Sequence, residues 1–144
     1  MKETIVQLVT AFLGSLGFSL LFGMRRRHLL LASLGGMLAW GVYLLADHAR
    51  WIEGDFIPYL LASAFAVLYA ELMARLRKCP TTLFVIPAIL PLVPGGSLYY
   101  AMSYAVRGQM GAAGQYGLRA LKLGLAIAAG ISIMVALREI RARR

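Results

Sequence analysis

The stretch that most constrains this chain runs from Cys79 to Arg107, uncharged between its flanking basic residues and mostly apolar. Such a run belongs in a membrane, yet Pro87, Pro91, Pro94, Gly95 and Gly96 interrupt its middle. Each interior proline lacks an N–H and crowds the carbonyl four residues back, so the carbonyls of Leu83, Pro87 and Leu90 lose their helical partners. Lipid supplies no replacement, and a break is tolerable there only against protein or a wet cavity. Helices broken at membrane depth are how transporters build substrate sites; a kink that merely shapes the bundle is the plainer alternative.

Composition agrees with a membrane setting. Of 144 residues, 60% are hydrophobic and only 15% charged, with a mean hydropathy of +0.74, whereas soluble domains carry about a quarter charged residues. The net charge of +9 reflects basic cytoplasmic loops, since no aromatic residues interleave with the basic runs in a nucleic-acid-binding pattern. Cys79 is the single cysteine, so neither an intrachain disulfide nor a cysteine zinc site is expected.

Five apolar stretches follow one another: Thr4–Met24, Leu29–Ala46, Phe56 to about Ala74, the broken Thr81–Val106, and about Leu118 to Leu137. The first is too long for a signal-peptide core and is followed by Arg25-Arg26-Arg27, the pattern of a retained span. As one straight helix the fourth would reach roughly 39 Å and overshoot the hydrocarbon. A break near Pro91–Gly96 removes that excess. The expectation is an all-α polytopic helical bundle, residues 1–144 forming one transmembrane domain of about five helices, the fourth broken; a re-entrant fourth segment would leave four crossings.

With five crossings, Arg25–Arg27, then Arg75, Arg77 and Lys78, then Arg138, Arg141, Arg143 and Arg144 share one side. Asp47, His48, Arg50, Glu53 and Asp55 take the other. Positive-inside then places the N-terminus outside and the C-terminus in the cytoplasm, with Arg107, Arg119 and Lys122 against the rule.

Small residues recur every four positions: Ala11, Ser15 and Ser19; Ala32 and Gly36; Ala62, Ala66, Ala70 and Ala74; Ala120, Gly124, Ala128, Ser132 and Ala136. Such stripes predict close helix packing, within the chain or against a partner. No internal repeat is visible, and five spans cannot divide into two inverted halves. A symmetry mate must then come from another chain, identical or companion.

Few residues are candidates for chemistry. Glu71 is the only acidic residue inside a predicted span: a proton-coupling or substrate-ammonium candidate, or an ordinary partner of Arg75 one turn on. Gly95-Gly96-Ser97 opens a second half-helix, with Ser97 as N-cap, and its free amides and positive dipole end suit a carboxylate. Pro91, Pro94, Gly95, Gly96 and Ser97 form the candidate substrate site. Tyr100 and Tyr104, with Ser103 and Arg107, follow along roughly one face, although tyrosines are common in packed bundles and interfaces. His28 and His48 are expected in solvent; Trp40, Tyr43, Trp51 and Tyr59 as packing or interface aromatics. Ser97 with His48 is the only nucleophile–base pair to be constructed and no motif supports it, so the chain is not expected to be an enzyme. No cluster has metal-ligand spacing and no cofactor is called for.

The string Ile86-Pro87-Ala88-Ile89-Leu90-Pro91-Leu92-Val93-Pro94-Gly95-Gly96-Ser97-Leu98-Tyr99-Tyr100 closely resembles the signature of the threonine/serine exporter family, and Ala70–Arg75 with Lys78-Cys79-Pro80 resembles its lead-in. The short length is similar to the small, YjjB-like subunit of its two-component members. The resemblance implies a subunit of a secondary exporter in the bacterial inner membrane, acting with a larger subunit of the same family or as a homo-oligomer. Its substrates would be threonine and serine or, in split members, C4 dicarboxylates such as succinate. A non-catalytic packing or assembly subunit is the alternative.

Overall fold

The computed structural model describes residues 2–49 and 54–142; Arg50, Trp51, Glu53, Arg143 and Arg144, named above, lie outside these. Its helices are α1 (Lys2–Leu21), α2 (Arg26–His48), α3 (Phe56–Arg77), α4 (Thr82–Ile89) continued by a 3-10 turn (Leu90–Leu92), α5 (Gly95–Val106) and α6 (Met110–Ala142). Four of them, α1, α2, α3 and α6, are long and apolar enough to cross a bilayer, and the α4–α5 pair, bent by 52°, makes a fifth if it is one span.

Three helices end alike. Gly23, Lys78 and Gly108 adopt positive φ, and the amide just beyond each reaches back five residues: Met24 to Ser19, Cys79 to Ala74, Gln109 to Tyr104. This left-handed cap satisfies carbonyls of the last turn while stopping the helix. It ends α1 at Leu21, short of the Met24 expected from hydropathy.

Side-chain contacts give the direction of every helix. Trp40 meets Gln7 and Gly36 lies against Ser15, so α1 and α2 are antiparallel. Tyr69 donates to the Leu31 carbonyl at 2.7 Å and Tyr43 packs on Tyr59, so α2 and α3 are antiparallel too. Asp55 pairs with Arg119, Gly130 sits on Leu60 and Ser63, and Glu71 pairs with Arg138. These contacts advance together, so α3 and α6 are parallel. α4–α5 therefore carries the chain back toward the start of α6, and it makes a fifth pass if the bent pair is one span. The basic groups Arg25–Arg27, Arg75–Lys78 and Arg138 consequently share one end.

The interior is built from small residues. Ala32, Ala39, Ala62, Ala66, Ala70 and Ala88 are wholly buried, with Phe84 and Leu92 the largest wholly buried side chains, while many leucines, isoleucines and phenylalanines face outward. In lipid no hydrophobic force separates Leu inside from Leu outside, so close approach of backbones and van der Waals contact hold the helices. The α3 stripe Ala62, Ala66, Ala70 and Ala74 is buried as expected. The α6 stripe is not. Ala120 is buried, but Gly124, Ala128, Ser132 and Ala136 are exposed, and the inward face is Leu123, Ala126, Ile127 and Gly130.

His28 departs from its expected place in solvent. It is 6% exposed, its ring edge-on to Phe84 at 6.0 Å, because α4 folds across the start of α2. His48 is exposed as expected.

The break is stitched from within. Pro91 deprives the Pro87 carbonyl of its helical N–H, and the buried Ser15 hydroxyl donates to that carbonyl instead at 2.9 Å. The Leu90 carbonyl, freed by Pro94, accepts from Val93 N–H at 3.1 Å. Ser15→Ala is expected to strand a buried carbonyl and cost about 1–3 kcal/mol. Ser33→Ala, which removes only a bond back to Leu29 in its own helix, is expected to cost clearly less. Unfolding midpoints of the two variants in one detergent check this, and equal losses would refute it.

Candidate functional site

α4 and its 3-10 turn contain eight and three residues, about 16 Å at helical rise. The break after Leu92 thus falls near half the height of α3, whose Ala62 and Ala66 pack around Leu92. Pro94 has φ −76° and ψ 54°, and Gly95 N–H donates to the Val93 carbonyl at 2.7 Å: an inverse γ-turn. Because this turn starts the helix at once, Pro94 is the N-cap of α5 and supplies no side-chain cap. Ser97 is the third residue of α5 rather than its N-cap, which corrects the expectation.

The turn uses one amide and leaves two. Gly95 N–H is occupied, while Gly96 and Ser97 N–H have no backbone acceptor among the described residues. A Cβ built on Gly95 or Gly96 meets nothing within 4 Å, so the start of α5 opens on unfilled space. α5 buries no residue and packs chiefly on α6. Unpaired amides at a helix start carry the positive end of the dipole, and an anion is the ligand they suit.

The remaining candidates divide between two directions. Tyr100 and Tyr104 both turn to Tyr116 of α6, with ring centroids 5.4 and 5.5 Å away, and Tyr99 lies edge-on to Tyr100. Pro91 instead lines a groove of about 220 Å³ with Gln7, Thr10, Ala11 and Trp40. There Trp40 Nε1 donates to Gln7 Oε1 at 3.3 Å, and the Thr10 hydroxyl donates back to the Val6 and Gln7 carbonyls. Trp40, Tyr43 and Tyr59 contact one another in sequence beside this groove, the first pair tilted and the second edge-on, centroids 4.7 and 4.8 Å apart. Reading the sequence had passed over Gln7 and Thr10. A carboxamide inside an apolar span was the available signal.

Glu71 does not pair with Arg75, one of the two expectations drawn for it. Its side chain is 13% exposed and lies 3.5 Å from Arg138 of α6 rather than on Arg75. Glu71 Oε1 accepts no hydrogen bond from the described residues. The pair is thus a charge contact across the α3–α6 seam near the basic end of the bundle.

A helical bundle with an apolar exterior and a fourth segment bent at mid-chain is a polytopic membrane protein. The model of the family described as "Threonine/Serine exporter, ThrE" matches residues 7–137. That match takes in every pass and the break itself, and the chain belongs to the threonine/serine exporter family. No curated protein and no solved structure matches it.

Proposed function

We propose that the chain is a subunit of a secondary exporter that moves small carboxylate-bearing metabolites out of a bacterial cytoplasm by alternating access. The substrates are threonine and serine or C4 dicarboxylates such as succinate, and a larger companion subunit of the same family completes the path. One observation supports this reading: the Gly96 and Ser97 amides have no backbone acceptor among the described residues and a Cβ on Gly96 would meet nothing within 4 Å, so a carboxylate there would find donors that lipid cannot satisfy. Pro91, Pro94, Gly95, Tyr100 and Tyr104 shape the surroundings of that point.

The shared basic end of the bundle supports a cytoplasmic C-terminus and an outer N-terminus in the inner membrane. Glu71 is the proton-coupling candidate, because among the described residues its charge at the α3–α6 seam meets Arg138 at 3.5 Å and its Oε1 accepts no hydrogen bond. The exposed α6 stripe of Gly124, Ala128, Ser132 and Ala136 favours a second reading, in which the chain packs against and assembles a companion that holds the whole path.

Export of threonine, serine and succinate is measured from cells expressing this chain, the companion, or both. The exporter reading expects efflux only with both, and loss of its dependence on the proton gradient in Glu71→Gln. Efflux from the companion alone at the full rate would leave only the assembly reading.

A further inference from the structure

At the end of the bundle opposite the basic cluster, the starts of α3 and α6 flank an open cavity of about 530 Å³ lined by Asp55, Phe56, Gln115, Leu118, Arg119 and Lys122, among others. Sites for small ligands fall in the range of roughly 300–1,000 Å³. Resting on the exporter reading, we propose that this cavity is a vestibule that binds a zwitterionic α-amino acid and discriminates against dicarboxylates.

The charges give the argument. Arg119 Nε and Nη2 both donate to one oxygen, Asp55 Oδ2, at 3.1 and 2.6 Å. Among the described residues Asp55 Oδ1 therefore remains open to an ammonium group, and Arg119 keeps its other N–H donors for a carboxylate. Lys122 adds a second cation within the same lining, and no carboxylate among the described residues lies within ion-pair distance of it. In the described lining, two cations against one carboxylate suit a ligand that presents its own carboxylate to Arg119 and Lys122 and its ammonium to Asp55 Oδ1. A dicarboxylate would set its second charge against Asp55. Phe56 and Leu118 supply an apolar wall for a short side chain.

Stability does not account for these charges. The Asp55 and Arg119 side chains are 34% and 58% exposed, and exposed pairs contribute little to folding. Nor does topology account for them, since Arg119 and Lys122 sit at the end where positive-inside disfavours cations. Tyr100 and Tyr104 meet Tyr116, one turn before Arg119, so α5 runs beside the stretch of α6 that leads into the cavity.

Lysine acylation tests the proposal without any transport. The full chain in phosphatidylcholine nanodiscs is treated with a water-soluble acetylating ester, and the rates at Lys2, Lys78 and Lys122 are read by peptide mass spectrometry. L-Threonine is expected to slow Lys122 alone, roughly ten-fold at ten times its dissociation constant, and succinate is expected to leave all three rates unchanged. Asp55→Asn is expected to lose protection by threonine and gain it from succinate. Equal rates at Lys122 with and without threonine, or protection of the unaltered chain by succinate, would overturn the vestibule. So would protection that appears only when anionic lipid is added, which would assign the cations to a headgroup. Protection without export in cells would leave the vestibule standing and remove the exporter reading; export without protection would do the reverse.

Discussion

Gly96→Leu is expected to leave the chain folded and to reduce export roughly ten- to hundred-fold. A Cβ at Gly96 meets nothing within 4 Å, so the added side chain has room, and replacing a helical glycine generally stabilises by up to about 1 kcal/mol. What the leucine takes away is access to the Gly96 and Ser97 amides. Hydrogen bonds to a charged group contribute about 1.5–3 kcal/mol, and each 1.4 kcal/mol is about ten-fold in binding. Gly17→Leu, on α1 and equally free of neighbours, is the matched control and should export normally. Measured together with folded protein per cell, full export by Gly96→Leu would mean that the substrate never visits the start of α5.

The break was legible because proline is a deletion written in the sequence. Pro91 and Pro94 fix which carbonyls lose partners, and those of Pro87 and Leu90 are found satisfied from elsewhere. Which group would rescue Pro87 was not legible: Ser15 lies 72 residues away, and only the crossing of α1 over α4 brings it there. The α3 stripe was legible for a different reason. α3 is wedged between α2, α4 and α6, so a wide arc of its surface is buried whatever the register. On α6 the same rule misled, because residues four apart turn about 40° beyond a full circle. From Ala120 to Ala136 the stripe winds through about 160°, and only its start faces α3.

The site shows the same division. Local chemistry locates the helix start at Gly95–Ser97, and the cap falls on Pro94 rather than Ser97 because Pro94 closes an inverse γ-turn that sequence rules for N-caps do not anticipate. Glu71 was matched to Arg75 by the helical i, i+4 rule, whereas the parallel packing of α6 brings in Arg138. His28 beside three arginines resembles a solvated loop residue until Phe84 is laid across it. Local backbone chemistry was visible; partners supplied by a distant helix were not.

The seam between α3 and α6 is where one methyl group should do most damage. A Cβ on Gly130 would lie 2.5 Å from the Leu60 carbonyl oxygen, 3.1 Å from Ala64 N and against the Ser63 hydroxyl. Two of these are backbone atoms of a buried helix and cannot swing aside as a side-chain end can. The helices must part, and interiors packed like crystals transmit such a shift along the seam. Overpacking of this kind costs about 1–3 kcal/mol, so Gly130→Ala should lower the unfolding midpoint well below that of Gly124→Ala, which meets nothing within 4 Å. A midpoint matching that control would mean that α3 and α6 are not held at this distance. The same pair of variants separates two roles for the seam. If it is a fixed wall, Gly130→Ala reduces the amount of folded protein but not export per folded molecule. If α6 slides on α3 during transport, with Glu71 and Arg138 exchanging their contact, export per molecule falls as well, because the methyl wedge bars the close-packed state at one end of the stroke.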